Sequence, residues 1–565
     1  MSVSTVFDVV VFGGTAPGIV AAIRLARQGI RVALVSSSMT LGGSLPSLGA
    51  LETHYRGNRA PLLQEISDAV RSYYRNHYGE NSEQYRTCSA GKMVTFEPRV
   101  MEAILVASEA NIQVWLGYFP LEVKRGSRVL NAVSFVSITD RTELELSATV
   151  FVEAGYEGDL MALAGVRWRL GRESREEFAE PRAGRVFTRW LSGGVHPKAA
   201  AEGRLNLVTA QATTSEPLPE SSGEGDDNIQ SYSYRLCLTD EPANRRLLME
   251  PPPGYDRARY APILLSTEQK QRIALPFHHR FLIQSLREMA ERDHIFHGHA
   301  LPNRKRSWNA TNLTGAGKRW AESDANGRAE IARQHLEHAL GLMWFLQTDP
   351  EIPADLRATA KQWGLARDEF ASSGNIPPQL YVREARRLVG RCVFTEHDAL
   401  LAPGLQRAPV HQDSIAITEF SLDSLACTTD RVGDSLCDGQ LFQMENSVPG
   451  QVPYGVLLPH ELDNFLVVTT VSATHVGWGT IRQTPTLMHL AESAAWAVVV
   501  ALKAGIPPAT VEVAALQRTL VAQGVMITFF SNCDMTAPDD WVQSVQLAGT
   551  RGEYSSYDAS VAKRE

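Results

Sequence analysis

The stretch Phe7–Gly18, FDVVVFGGTAPG, decides the fold. Phe7 to Phe12 is a short apolar run of the kind that forms a strand buried on both faces. Gly13-Gly14-Thr15-Ala16-Pro17-Gly18 follows without a gap. Ile19 to Gln28 then carries apolar residues at helical spacing, Gly29 stops it, and Ile30 to Val35 reads as a second buried strand. Strand, glycine turn, helix and strand within about thirty residues make the opening unit of a dinucleotide-binding sheet. The glycines let the backbone approach a pyrophosphate, and the helix N-terminus offers it N–H groups and a positive dipole end. Two positions depart from the GxGxxG pattern. Thr15 takes the middle glycine's place, and Ser36, followed by Ser37, stands where an acid usually binds the adenosine ribose.

Further elements extend the unit. Leu41-Gly42-Gly43-Ser44 is a tight glycine turn after the second strand. Ala60 to Asn76 and Glu97 to Ala110 are expected as helices, and Leu45 to Arg59 as a polar loop. Ile112–Leu116, Leu121–Lys124, Val129–Ser137 and Glu143–Leu146 alternate as strands of an antiparallel layer. Ala148 to Glu153 is another buried strand, and it runs into Ala154-Gly155-Tyr156-Glu157-Gly158-Asp159. Ligands of doubly wound sheets lie outside the carboxyl ends of the strands, so Gly155 is expected near Gly13–Gly18. Asp159 reads equally as an N-cap for the helix that follows. Asn464 to Thr470 is a late buried strand. It is followed by the loop Ser472 to Gly479 and by a long apolar helix, Thr484 to Ala504.

The chain therefore divides into a nucleotide-binding part, 1–166, completed by 451–510. Between them lies an inserted cap region, 167–450, and 511–565 forms a C-terminal helix and surface tail. The fold class is α/β, a Rossmann-like parallel sheet with helices and an antiparallel layer, carrying a large α+β insertion. Within the insertion, 211–227 is poor in apolar residues and reads as exposed or partly disordered. Composition is ordinary for a globular protein, 44% apolar and 21% charged, and the net charge of −8 argues against a nucleic-acid partner. No unbroken apolar run has the length of a membrane span, and no signal-type segment opens the chain, so a cytoplasmic protein is expected. The six cysteines include no CxxC; Cys427 and Cys437 are the close pair, read as reduced buried thiols ahead of a redox or metal pair. His335 and His338 have metal-ligand spacing without a third ligand nearby, and no metal is expected.

Several stretches together carry a resemblance: GGTAPGIVAAIRLARQG (13–29), FEPRVMEA (96–103), GYEGDLMALAGV (155–166), QLYVREARRLVG (379–390) and SATHVGWGTIR (472–482). The chain resembles the FAD-dependent oxidoreductases described as xanthan-lyase-type, a branch of the glutathione-reductase-like flavoproteins. The resemblance implies FAD, with Gly13, Gly14, Thr15, Ala16, Pro17 and Gly18 at the pyrophosphate and Ser36 and Ser37 at the ribose. It implies Gly42, Gly43 and Ser44 along the path to the flavin, and Ala154, Gly155, Glu157 and Asp159 beside the dinucleotide. Thr474, His475 and Ile481 would face the ring end. Ala491 and Trp496 replace glycines usual in the last helix, at what the resemblance makes a close cofactor contact, and Leu425 replaces a usual histidine.

The activity this implies is oxidation of a small organic substrate, an alcohol, amine or C–H bond, by hydride transfer to flavin. The alternative is a non-redox reaction on the same fold, with flavin structural or absent. A polysaccharide lyase is not expected. His475 is the first candidate for a proton acceptor, or else it hydrogen-bonds the cofactor. Arg482 holds an anionic substrate or the reduced flavin, or forms a structural ion pair. Tyr454 lines the pocket or packs in the core. The polar set Arg383, Glu384, Arg386, Glu396, His397 and Asp398 is read as a buried network joining cap to sheet.

Overall fold

The computed structural model describes residues 3–55, 57–89, 93–107, 112–191, 205, 213–270, 272–444 and 447–558. The opening strand β1 (Val3–Phe12) lies at the centre of a sheet, with β2 (Val32–Ser36) parallel on one side. Outside β2, also parallel, lies β3 (Gln113–Leu116). On the other side of β1 runs the long strand β6 (Glu143–Glu153), in register Val9 to Val150. The far edge of β6 is shared. Its first half pairs antiparallel with β5 (Leu130–Ser137), which pairs with β4 (Tyr118–Arg125); its last residues pair parallel with Phe465–Val467.

Three expectations change here. Glu143–Leu146 and Ala148–Glu153 are one strand, whose burial alternates at the start and becomes continuous over its last four residues. The change of pattern reflects cover on one face and then on both. Gln113–Leu116 belongs to the parallel set and not to the antiparallel layer, and Leu45–Leu48 forms a short helix in the expected loop.

The first helix, Ala16–Ala26, is buried along most of its length and packs against Thr484–Ala504. The latter is long and apolar enough to cross a membrane by length and composition, yet 78% of its apolar window is buried within the protein. Two residues of this helix, Ala491 and Trp496, are buried in the protein core. Ala491 is fully buried in the core shared with the first helix, and Trp496 lies 5.1 Å from the Arg24 guanidinium. Arg24 sits in the last turn of that helix, at the opposite end from the glycine turn.

The inserted region has its own core. Its five-stranded antiparallel sheet runs in the order Gly298–Leu301, Lys305–Trp308, Leu236–Thr239, Gly364–Ala366, Arg245–Arg246. The helix Ala325–Thr348 covers it, with Tyr232, Tyr260, Trp308 and Phe345 among the buried residues. His335 and His338 belong to this apolar packing, and burial pushes them down to about 4 and about 3. Of the segment 211–227, residues 211 and 212 lie outside the described part. The rest is tied down: Thr213 and Thr214 are buried, and Asp226 pairs with Arg172. Polar side chains spent on backbone and ion-pair partners hold a segment that composition alone marks as loose. The expected surface tail likewise packs. Asp540–Thr550 is a helix, and Phe529, Phe530 and Tyr557 are buried in a small core shared with Tyr55, Ala408, Ile417 and Val448.

Candidate functional site

The loops after the parallel strands meet at the carboxyl edge of the sheet. Gly13 has φ +123°, and a Cβ there would lie 2.2 Å from the carbonyl carbon of Ala154. The turn after β1 thus packs backbone on backbone against the loop after β6. The Thr15 hydroxyl donates to the Ala154 carbonyl (2.8 Å) and accepts from the Gly18 N–H (3.2 Å) as N-cap of the first helix. The departure from GxGxxG therefore supplies a cap and a strap between strand ends. Ala16 and Pro17 open the helix, both buried. The Gly42 N–H donates to the Gly14 carbonyl (2.7 Å), which brings in the loop after β2. Ser36 is buried, close enough to Gly14 that a Cβ there would meet its Oγ at 2.7 Å, whereas Ser37 is exposed.

Glu153 closes β6 and was not singled out in the sequence. Its carboxylate accepts from the N–H groups of Gly155 (2.7 Å) and Met161 (3.0 Å), and burial pushes it up to about 8. It sets the course of the next loop. Tyr156 reaches from that loop to the one after β2, where the Ser44 N–H and hydroxyl donate to its Oη (3.3 and 3.1 Å). After Phe465–Val467, the Thr469 hydroxyl donates to the Gly155 carbonyl (2.6 Å). Glu157 and Asp159 are engaged by the inserted region: Trp320 Nε1 donates to Glu157 (3.1 Å), and Asp159 pairs with Arg328 (2.6 Å) and Arg386 (3.0 Å). Gly158, not Asp159, is the N-cap of the short helix.

Thr474 caps the helix His475–Ile481, accepting from the Gly477 N–H (3.0 Å) and donating to Glu180 (2.7 Å). His475 therefore opens a helix and does not sit in a loop. Its Nδ1 lies 2.9 Å from Glu384 Oε2, and its Nε2 lies 3.1 Å from Ser424 Oγ and 3.8 Å from Cys427 Sγ. Burial pushes the imidazole down, but the Glu384 carboxylate outweighs it and holds the ring up at about 10. Both ring nitrogens are thus engaged, Nδ1 by Glu384 and Nε2 by Ser424 and Cys427. Tyr454 is likewise a core residue, its hydroxyl donating to the Pro508 carbonyl (3.0 Å), and Ile481 is fully buried among apolar neighbours.

The polar set read as a network mostly is one: Arg386 pairs with Asp159, Glu396 with Arg182, Asp398 with His411, and Glu384 with Arg387 and His475. Two members stand outside it: His397 meets only the Ala179 carbonyl (3.0 Å), and Arg383 has no carboxylate partner among the ion pairs of the described residues. Arg383 is the buried one of the two. It lines a cleft between the strand ends and the inserted region, together with Ser44, Tyr156, Tyr381, Thr469 and Arg482. Arg482 follows the His475–Ile481 helix, which packs tightly on the strand Leu422–Ser424 because a Cβ on Gly479 would meet the Asp423 nitrogen at 2.8 Å. From there its guanidinium donates to Asp423 Oδ2 (2.8 Å) and to Tyr381 Oη (3.2 Å). The Tyr381 ring lies between the guanidiniums of Arg235 (4.9 Å) and Arg383 (4.6 Å). No sequence pattern marks Arg235 as a member, since it comes into place through pairing of Ser233 with Tyr381.

This edge fits a dinucleotide bearing a flavin. The glycine turn, the Gly42–Gly43 turn with φ of +96° and +59°, and the Ala154–Gly155 backbone line one side. The buried Thr470 hydroxyl and Arg482 Nε have no protein hydrogen-bond partner and remain for a ligand.

Comparison with known proteins agrees. The family model described as FAD dependent oxidoreductase matches residues 8–520. Among solved structures, an L-proline dehydrogenase from P. horikoshii is 19% identical, covering 27% of this chain and 23% of that one, with a TM-score of 0.18. The flavin-dependent monooxygenase PieE, in complex with FAD and substrate, is 14% identical over 33% of this chain and 35% of its own, with a TM-score of 0.21. THI4 of Thermovibrio ammonificans is 18% identical over 30% of this chain and 67% of its own, with a TM-score of 0.22. The match thus spans well under half the length of the first two structures. A search of curated proteins returned no match. By the family match over nearly its whole length, the chain belongs to the FAD-dependent oxidoreductases and is an enzyme whose cofactor is FAD.

Proposed function

We propose that the enzyme oxidises a small organic substrate, an alcohol, an amine or a C–H bond, by hydride transfer in the cleft between the sheet edge and the inserted region. The observation that carries this reading is the position of Arg482, a buried cation with a free Nε at the edge where the cofactor-type loops meet the cap. Bound FAD supplies the hydride acceptor. The cap covers the cleft and keeps water from the reacting atoms. Arg482, held by Asp423 and Tyr381, would offer positive charge to a reduced flavin bound in this cleft. His475 acts through Glu384, which it holds at the cleft wall, and is a positioning residue. A cytoplasmic site of action fits six cysteines none of which is in a disulfide.

Anaerobic stopped-flow reduction tests the reading. Arg482→Met is expected to keep its FAD and to slow flavin reduction by about 10²–10³-fold, with Arg482→Lys restoring part of the rate. An unchanged rate in Arg482→Met at full FAD content would remove the arginine from the chemistry.

A further inference from the structure

Three arginines converge on one tyrosine, and the charge around them does not balance. Arg235, Arg383 and Arg482 are 3%, 4% and 7% exposed. The carboxylates beside them are Glu52 and Asp423, while Glu384, on the same cleft wall, is taken up by Arg387 and His475. Glu52 lies 3.7 Å from Arg235 and is shared with His299 at 2.9 Å, while Asp423 pairs with Arg482 at 2.8 Å. Arg383 reaches only neutral groups, the Ser231 carbonyl and Ser233 Oγ (3.1 Å). The N–H groups at Nε and Nη1 of Arg235 and at Nε of Arg482 have no hydrogen-bond partner. Three guanidiniums against two carboxylates leave one positive charge over, on side chains that are almost wholly buried. Burying an uncompensated charge is costly, and buried donors are rarely left unpaired. Burial and the nearby Arg235 and Arg482 together hold Arg383 down at about 9, despite the opposing Tyr381 and Asp423. The apolar residues Val382, Trp478 and Leu487 complete the cleft beside these cations.

We infer that this cluster is the recognition site for a carboxylate group on the substrate. The inference rests on the flavin-oxidoreductase reading of the same cleft and adds the class of molecule it takes. A guanidinium presents N–H groups in a planar fork that matches the two oxygens of a carboxylate. A single surplus charge suits a monoanion better than a phosphate dianion, and the apolar wall suits the carbon skeleton attached to it. Arg235 and Arg383 hold the carboxylate from the cap, and Arg482 faces it from the sheet side.

The test uses the FAD-loaded full chain and sodium benzoate as probe, with benzamide as the uncharged match and inorganic phosphate as the dianion. Benzoate is expected to raise the melting temperature saturably and to perturb the visible flavin spectrum, while benzamide and phosphate do neither. Arg383→Gln and Arg235→Gln are expected to weaken benzoate binding by at least about tenfold with FAD content unchanged. Because Arg383 is the surplus cation, Arg383→Gln should melt no lower than the parent without ligand, which a merely structural arginine would not allow. The inference is overturned if benzoate has no effect on the loaded protein, if phosphate binds as well or better, or if Arg383→Gln lowers the melting temperature and leaves benzoate affinity intact. A protein that takes up no FAD but is still stabilised by benzoate would strike the flavin reading and leave the carboxylate site standing.

Discussion

At the scale of single residues, His475 shows how the partner determines the chemistry. Its ring is buried, which alone would keep it neutral, but Glu384 at 2.9 Å favours the imidazolium. With the folded pKa raised to about 10 from an ordinary 6.5, the pair contributes stability that is complete below about pH 6.5 and is lost as pH rises through 10. Removing one partner of a buried pair costs about 3–5 kcal/mol. His475→Gln is therefore expected to lower stability by about that amount at pH 6, with a much smaller difference at pH 10. Denaturation at the two pH values checks it; an equal deficit at both would mean that the ion pair is not the cause. A reader of the sequence sees the glycine-flanked His475, but not Glu384, 91 residues away and brought near only by the cap. The residue was legible and its role was not. The same holds for Arg383, which shares a run of charges with true network members and differs from them only in lacking a carboxylate.

At the scale of elements, the helix pair Ala16–Ala26 and Thr484–Ala504 accounts for the unusual sequence of the latter. Glu492 pairs with Arg24 (Nε to Oε1, 3.1 Å) and accepts from the Leu62 N–H (3.0 Å), while Trp496 packs under the same arginine. Trp496 fills the seam between the two helices at the end of the first helix remote from the glycine turn. Trp496→Gly is expected to destabilise the protein by about 3–5 kcal/mol and to leave FAD content no higher. Chemical denaturation with a flavin assay measures both; an increase in bound FAD would show that Trp496 crowds the cofactor after all. The helices of this half were legible from a period of 3.6 and its central strands from short, unbroken apolar runs bounded by glycine turns. Their ends and the sharing of β6 between antiparallel and parallel partners were not, since pairing is a property of two segments.

At the scale of the whole molecule, the inserted region is docked by charge. Lys305, fully buried, makes ion pairs with Glu97 (2.7 Å), Asp368 (2.7 Å) and Glu369. These acids are close enough to hold a metal ion, but the ammonium already stands among them. Glu97 belongs to the nucleotide-binding part and the others to the inserted one. Lys305→Met is expected to cost about 3–5 kcal/mol and to raise hydrogen exchange first in the strands Lys305–Trp308 and Gly364–Ala366. Uniform exchange across both parts would contradict docking at this point. Short cap strands, two to four residues long, leave little periodicity to read, and the C-terminal core of Phe529, Phe530 and Tyr557 is hidden for the same reason. What both scales above serve is one cleft, where loops from the two ends of the sheet-forming chain meet the cap. The most direct measurement of that account is the anaerobic visible spectrum of the purified protein. The account predicts flavin bands that bleach when an oxidisable carboxylate substrate is added and return with an electron acceptor. A colourless protein that stays colourless after incubation with FAD would contradict it.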